Sequence, residues 1–263
     1  MPLIKSISGI RGTLENIPGE SLSDYDLKQF TLAYLEEIIL YESSKTILVG
    51  RDARKSGKRI SNIIIDVVLN EGYNVIDLGL VTTPTIGIAV KKHKMAGAIM
   101  ISASHNDEKW NALKLLNSNG EFLHPEEVQK VIKEKKRTQS NKEKPGNLSS
   151  YANALDDHIN LILSQNFINK NNIASKSIAV AVDGINSVGG VAIPKFLESL
   201  GIKKIKKINC NPDGNFNHNP EPLPENITDL CSEMKRGKYQ LGIVVDPDAC
   251  LLYTSPSPRD EAL

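Results

Sequence analysis

The stretch Ala98-Ile-Met-Ile-Ser-Ala-Ser104-His105-Asn106 decides the fold class of this chain. It joins a short apolar run to a loop of small and polar residues, a pattern typical of a buried strand in an α/β protein. In such proteins, loops at the carboxyl ends of the strands form the site of chemistry. Ser104 is therefore the best candidate nucleophile. The alternative is a serine that only caps the following turn.

Strands and helices alternate on both sides of this stretch. Apolar residues at helical spacing predict helices over 23–42 and 84–94, before residue 72, before Gly201 and near 226–236. Short, largely apolar segments predict strands at 46–49, 74–78, 98–101, 177–182 and 241–245. The alternating pattern of strands and helices adds a strand at 204–208. The alternation predicts an α/β fold of two consecutive α/β domains, each with a mostly parallel mixed sheet flanked by helices.

Composition shifts set the expected domain boundaries. Residues 133–146 are charged and almost without apolar side chains, which indicates a helix end and a solvated linker. We therefore expect a first domain over residues 1–140 and a second over 150–250. The tail, 251–263, contains two Ser-Pro dipeptides and no periodicity, so we expect it to be artefactual or disordered, without strand or helix.

The net charge and the cysteine content indicate which binding partners and which cellular compartment this chain is suited to. The 263 residues carry 32 basic and 31 acidic side chains, a net charge of +1. This balance argues against a nucleic-acid partner and against binding to anionic membranes. The three widely spaced cysteines favour a reducing, cytoplasmic setting over a disulfide framework. No apolar run approaches the roughly 20 residues of a membrane span.

Five motifs carry a resemblance to a known family. They are Ser8-Gly-Ile-Arg11-Gly12, Gly50-Arg-Asp-Ala-Arg54, the Ser104 loop with Lys114 beyond it, Asn219-Pro-Glu-Pro222, and Val245-Asp246-Pro-Asp248-Ala249. In this order, and over residues 1 to about 249, the chain resembles the α-D-phosphohexomutases. That family has four domains, and the resemblance places the first two here.

The resemblance implies an enzyme that interconverts sugar 6-phosphate and sugar 1-phosphate. The phosphate would pass through a phosphoserine at Ser104 and a sugar 1,6-bisphosphate, and the substrate would be a phosphorylated hexose or hexosamine. The run Leu3–Gly12 and the segment Trp110–Lys114 resemble bacterial phosphoglucosamine mutases, which makes that the favoured activity. Phosphomannomutase or phosphoglucomutase is the alternative, and a non-catalytic phosphosugar-binding protein is a second. Without the domains that select the sugar, we expect this chain to be inactive as a mutase alone, with no turnover of its own.

Two aspartates after the strand at 241–245 indicate a metal site. Alternate residues of an extended segment project to one side, so the carboxylates of Asp246 and Asp248 can converge on one hard cation. Mg²⁺ fits best, with a phosphate oxygen on Ser104 as a further ligand. In the family a third aspartate and an arginine follow, where this chain has Cys250 and Leu251. A thiol is a poor Mg²⁺ ligand, so the site is incomplete. Taken alone, Asp-Pro-Asp would favour a turn.

Three further residues are candidates for catalysis. Lys114 matches the family lysine that transfers a proton at the sugar hydroxyl, although it could be an ordinary surface lysine. Arg11 stands among glycines, where its guanidinium can bind phosphate in a bidentate manner. His105 adjoins the nucleophile and could bind phosphate or be structural.

Other motif residues receive weaker assignments. For the charged side chains of the Arg51–Arg54 segment, a structural ion pair is as plausible as ligand contact. The Asn219–Pro222 segment is turn-rich, and we assign no catalytic role to it or to His218.

Overall fold

The protein, a computed structural model, is described for residues 3–133, 135–140 and 142–256. Its contacts divide these residues into two units. The N-terminal unit comprises 3–51, 55–103 and the described part of 108–154. The C-terminal unit comprises 155–256 and two short segments, 52–54 and 104–107. The Ser104 loop therefore belongs to the C-terminal unit, although the strand before it belongs to the N-terminal one.

The described part of the N-terminal unit forms a seven-stranded sheet with the order β1-β2-β6-β5-β3-β4-β7. Its strands are β1 Ile4–Ser6, β2 Gly9–Thr13, β3 Thr46–Arg51, β4 Asn74–Leu80, β5 Gly97–Ile101, β6 Trp110–Leu116 and β7 Leu148–Ser150. Its helices are α1 Asp24–Glu37, α2 Gly57–Asn70, α3 Thr83–His93 and α4 Pro125–Ile132, with a 3₁₀ turn at Ile39–Tyr41.

Helices cover both faces of this sheet because its central strands are apolar on both faces. Ile99 and Ile101 of β5 belong to a core cluster that includes residues of α1 and α2. Ala98 and Met100 belong to a second cluster that includes residues of α3. The sheet is mixed, since β3 pairs in parallel with β4 and β5, whereas β6 pairs antiparallel with β5 and β2.

The expectation of a solvated linker over residues 133–146 is wrong at Arg137. Arg137 is only 6% exposed, and its guanidinium pairs with Glu36 at 3.0 Å and with Glu37 at 3.3 Å. The backbone of Arg137 also exchanges two hydrogen bonds with the side-chain amide of Gln29. The segment therefore packs on α1, because its charged side chains find partners on that helix.

The described C-terminal unit is a smaller α/β unit with the strand order β11-β10-β8-β9. The strands are β8 Ala179–Asp183, β9 Lys204–Ile208, β10 Leu241–Val245 and β11 Leu252–Pro256. The helices are α5 Ala154–Leu163, α6 Lys170–Ser175, α7 Gly189–Ser199 and α8 Thr228–Lys235. Val180 packs in a cluster with Leu197 of α7, and Ala181 packs with Leu230 of α8, so this sheet is also covered on both faces.

The expectation of a tail without regular structure is wrong for residues 252–256. They form β11, which pairs antiparallel with β10 from Leu241↔Pro256 to Val245↔Leu252. The pairing satisfies backbone groups that the edge of β10 would otherwise leave open. The composition of residues 252–256 does not predict a strand, because β11 forms by pairing with β10 and not from its own apolar pattern. The rest of the expected tail, 257–263, lies outside the described residues.

None of the helices in the described residues combines the length and the apolar composition that a bilayer crossing requires.

Candidate active site

Ser104 lies in the loop that follows β5 and is 8% exposed. Its backbone has φ +52°, in the left-handed region that a serine rarely adopts. The hydroxyl Oγ donates a hydrogen bond to Oδ2 of Asp246, within the C-terminal unit. Two residues that are 142 positions apart in the sequence, and that we had singled out separately, are therefore in direct contact.

Asp246 and Asp248 follow β10 and are both fully buried. Asp246 Oδ1 accepts hydrogen bonds from the backbone N–H groups of Cys250 at 2.9 Å and Leu251 at 2.8 Å. These bonds hold the carboxylate in the turn that leads into β11. Burial, and then the charge of Asp248, raise the pKa of Asp246 to about 7.

The donor chemistry of this carboxylate pair fits a hard cation. Two buried carboxylates that disfavour each other's charge are the environment in which a divalent ion is most stabilising. Among residues 3–133, 135–140 and 142–256, however, no group of three or more His, Cys, Asp or Glu side chains is placed to hold a metal ion. Cys250 is exposed, so it supplies no third buried ligand. Asp246, Asp248 and an oxygen on Ser104 are thus the set available.

His105 follows Ser104, the candidate nucleophile, and lies close to Glu221, a residue without an assigned role. Its Nε2 is 3.6 Å from Oε2 of Glu221, and both side chains are about one-third exposed. Glu221 belongs to the Asn219–Pro222 motif, so that motif reaches the Ser104 loop within the C-terminal unit. This contact could not be inferred from turn composition.

Asp183 and His218 form a pair that the sequence analysis did not identify. Asp183 ends β8, is fully buried, and accepts a hydrogen bond from His218 Nε2 at 3.2 Å. Burial is the largest single effect and lowers the pKa of His218, but the hydrogen bonds to Asp183 and to the Asn219 carbonyl, with the charges of Asp183 and Asp229, together outweigh it, so the pKa is raised. An aspartate directly after an apolar strand was the available signal, the same one that pointed to Asp246.

Arg11 and Lys114 lie on neighbouring strands of the N-terminal unit. Arg11 in β2 is paired with Ala112 in β6, two residues before Lys114. Residues paired in an antiparallel ladder point to one face, as do alternate residues of a strand, so both side chains lie on the same face. Arg11 also donates to Ser8 Oγ at 2.7 Å. Lys114 is only 5% exposed, which excludes the alternative of an ordinary surface lysine.

The segment Asp52–Arg54 forms an ion pair, one of the two alternatives left open for it. Arg54 Nε lies 3.1 Å from Asp52 Oδ2, and the two side chains are 1% and 0% exposed. Arg54 also donates to backbone carbonyls of the Ser104 loop.

Comparison with known proteins agrees with this arrangement of two α/β domains. The chain matches the family model "Phosphoglucomutase/phosphomannomutase, alpha/beta/alpha domain I" over residues 4–142. It matches the model for domain II of the same family over residues 150–249. The fold is thus that of the two leading α/β domains of a sugar-phosphate mutase, and the chain belongs to the phosphoglucomutase/phosphomannomutase family. The family resemblance seen in the sequence is confirmed.

Individual relatives carry more than one name. A phosphoglucosamine mutase of Methanococcus aeolicus is 33% identical over 231 residues, which cover 83% of this chain and 49% of that protein. A phosphoglucomutase/phosphomannomutase of Thermococcus kodakarensis is 31% identical over 207 residues, covering 77% of this chain and 44% of that protein. The chain therefore spans about half the length of the curated relatives it matches.

A solved structure supports the fold. A crystal structure from Thermus thermophilus, assigned as a phosphomannomutase, superposes with a TM-score of 0.81 at 19% identity. The match covers 98% of this chain and 57% of that one.

Proposed function

We propose that the protein containing this chain is a phosphohexose mutase that moves a phosphoryl group between the 6- and 1-hydroxyls of a hexose or hexosamine. The observation that carries the proposal is the hydrogen bond from the Ser104 hydroxyl to Asp246, beside the buried Asp248. A nucleophile in contact with a pair of buried carboxylates suits a phosphoserine whose charge is balanced by a cation.

The proposed reaction consists of two phosphoryl transfers. In the first, the bond between Oγ of phosphorylated Ser104 and phosphorus breaks while a sugar hydroxyl oxygen bonds to that phosphorus. The proton of that hydroxyl passes to Lys114, and Ser104 leaves with the electron pair of the broken bond. In the second, Ser104 takes the phosphoryl group from the opposite end of the sugar bisphosphate, and Lys114 returns the proton to the sugar oxygen that is released.

Arg11 and His105 are proposed to bind phosphate oxygens. A guanidinium presents parallel N–H donors that match two oxygens of a phosphate group. The side chain of Arg11 lies on the same face of the sheet as Lys114, so binding and proton transfer would be arranged on one surface. His105 would donate a hydrogen bond from its ring, with Glu221 holding the ring in place.

Asp246, Asp248 and a phosphate oxygen on Ser104 are proposed to hold Mg²⁺. When bound, the cation supplies positive charge that stabilises the transferring phosphoryl group. The chain's own contribution is to keep both carboxylates buried and oriented, through the N–H donors of Cys250 and Leu251.

The proposed substrate is a glucosamine phosphate, with a mannose or glucose phosphate as the alternative. Support comes from the name of the Methanococcus aeolicus relative, and the Thermococcus kodakarensis relative supports the alternative at nearly the same identity. Residues 4–142 and 150–249 match the models for domains I and II, and we propose that they carry out phosphoryl uptake. Selection of the sugar is proposed as a property of the whole protein.

Mutase activity of the full-length protein tests the proposal. Conversion of glucosamine 6-phosphate, mannose 6-phosphate and glucose 6-phosphate would be measured in wild type, Ser104→Ala and Ser61→Ala. Ser61 is a buried serine in α2, so it controls for loss of a buried hydroxyl. We expect Ser104→Ala to lose activity by at least about a thousandfold and Ser61→Ala to retain it. Phosphosugar binding without conversion by wild type would instead support a binding protein.

A further inference from the structure

A single buried guanidinium holds the backbone of the Ser104 loop. Arg54 Nη2 donates to the carbonyl oxygens of Ser104 at 2.7 Å and Asn106 at 2.6 Å, and Nη1 donates to the carbonyl of Asp107. Nε of the same guanidinium pairs with Asp52. Three carbonyls within four residues therefore converge on one planar fork, a geometry that a lysine ammonium cannot reproduce.

A second segment of the C-terminal unit packs against this arginine. The guanidinium carbon of Arg54 lies 5.0 Å from the centre of the Phe216 ring, within the range of a cation–π contact. Gly214 allows the close approach: a Cβ there would lie 2.1 Å from the carbonyl oxygen of Ala53, and its φ is +74°. The guanidinium is thus fixed by packing as well as by hydrogen bonds.

Ser187 links the arginine segment to the aspartate turn. Its hydroxyl accepts a hydrogen bond from the N–H of Ala53 at 3.1 Å and donates one to the carbonyl of Pro247 at 2.6 Å. Pro247 lies between Asp246 and Asp248, and Ser187 is fully buried. The Ser187 hydroxyl therefore links Ala53, which precedes Arg54, to the turn that carries Asp246 and Asp248.

The turn that presents Ser187 is strained. Ile185 has φ +48° and Asn186 has φ +51°, in the left-handed region, which is unfavourable for a β-branched residue such as isoleucine. Ile185 is held there by a hydrogen bond from its N–H to Asp183 at 3.0 Å. Such strain persists where the surrounding structure imposes it, and it is concentrated at functional sites.

We propose that Arg54 and Ser187 are positioning residues that together set the separation between the Ser104 hydroxyl and the carboxylates of Asp246 and Asp248. Arg54 holds the backbone of the Ser104 loop through its hydrogen bonds. Ser187 connects the segment that carries Arg54 to the turn between Asp246 and Asp248. Neither touches a reacting atom. The effect on phosphoryl transfer rests on the proposed function, whereas the effect on loop order does not.

The matched pair Arg54→Lys and Arg137→Lys tests the arginine. Arg137 is also a buried arginine with carboxylate partners, but those partners belong to α1. Amide hydrogen exchange would be followed at residues 104–107 in the whole chain, with thermal unfolding measured in parallel. We expect Arg54→Lys to speed exchange in that loop by at least about tenfold, since several hydrogen bonds are lost. Arg137→Lys should leave exchange at residues 104–107 unchanged, whether or not it lowers the melting temperature.

The matched pair Ser187→Ala and Ser199→Ala tests the link. Ser199 Oγ donates to the carbonyl of Lys195 at the end of α7, so its loss also removes one side-chain hydrogen bond in the same unit. Ser187→Ala should speed exchange of the Cys250 and Leu251 amides by about tenfold, and Ser199→Ala should not. Ser187→Ala removes a single oxygen atom. It therefore still tests the positioning role if Arg54→Lys does not fold.

Phosphoryl uptake at Ser104 from glucose 1,6-bisphosphate supplies the functional readout. We expect Arg54→Ala to slow uptake about a hundredfold, and free guanidinium at millimolar, non-denaturing concentration to restore part of the rate. A merely structural role would give no such rescue.

The possible failures are distinguishable. If wild type takes up no phosphate while loop exchange responds as expected, the proposed function fails and the positioning role stands. If exchange at 104–107 is unchanged in Arg54→Lys, or at 250–251 in Ser187→Ala, the positioning role is wrong whatever the uptake.

Discussion

Asp248→Asn should stabilise the protein at pH 8 in the absence of divalent cations. The pKa of Asp246 rises from 3.8 to about 7 in the folded state, or about three units, which corresponds to about 4 kcal/mol. Burial is the larger cause and the charge of Asp248 the second. Removing that charge should therefore recover part of this free energy, about 1–2 kcal/mol.

The sign of this effect depends on pH. Because the folded-state pKa of Asp246 is raised, its contribution to stability is fully present below pH about 4 and is lost as the pH rises through about 7. The advantage of Asp248→Asn should accordingly shrink between pH 8 and pH about 4. Saturating Mg²⁺ should reverse the order, since wild type gains about 2.7 kcal/mol at a concentration one hundred times its Kd and the variant lacks one ligand.

Urea denaturation followed by circular dichroism measures these differences. Asp66→Asn is the control because Asp66 is an exposed helical aspartate, and it should change the free energy of unfolding by less than about 0.5 kcal/mol. If Asp248→Asn were no more stable than wild type at pH 8 without Mg²⁺, the two carboxylates would not repel each other. The argument for a cation between them would then lose its basis.

Three other predictions concern groups away from the carboxylate pair. Because the pKa of His218 is raised, its stabilising contribution is lost as pH rises, so His218→Gln should destabilise more at pH 5 than at pH about 8, as measured by urea denaturation. Tyr34→Phe removes a buried hydroxyl that donates to the Leu116 carbonyl at 2.6 Å, and it should cost about 1–2 kcal/mol in the same assay. Burial raises the pKa of the Cys210 thiol to about 11, so iodoacetamide at pH 8 should alkylate exposed Cys250 first, as read by peptide mass.

Most of the strands predicted from the sequence contain continuous apolar runs. Residues 46–49, 98–101 and 241–245 were predicted as strands and lie in β3, β5 and β10. Burial on both faces makes such strands uniformly apolar, so they stand out. The polar residues after two of these runs, Ser104 and Asp246, were found for the same reason.

The strands that were not predicted lack this signal. In β2, two glycines flank Ile10 and Arg11, and glycine has low strand propensity. β6 is buried throughout yet contains Asn111 and Lys114, so its polar residues interrupt the apolar run. These strands are specified by their neighbours in the sheet more than by their own composition.

The remaining site contacts depend on distant segments. Arg54 reaches the Ser104 loop across 50 residues, and Asp183 reaches His218 across 35. Polar contacts of this kind have no periodicity, and each partner taken singly is compatible with a surface ion pair. Side-chain geometry was needed to tell an anchored loop from a solvated one.

Phosphate mapping on this chain tests whether Ser104 is the phosphoryl carrier. The purified chain would be incubated with glucose 1,6-bisphosphate and Mg²⁺, and the modified residue located by intact mass and peptide mass spectrometry, with Ser104→Ala alongside. We predict a single phosphate on Ser104 in wild type and none in the variant. Phosphate on other residues alone, or equal labelling of Ser104→Ala, would contradict the assignment of Ser104 as the phosphoryl carrier.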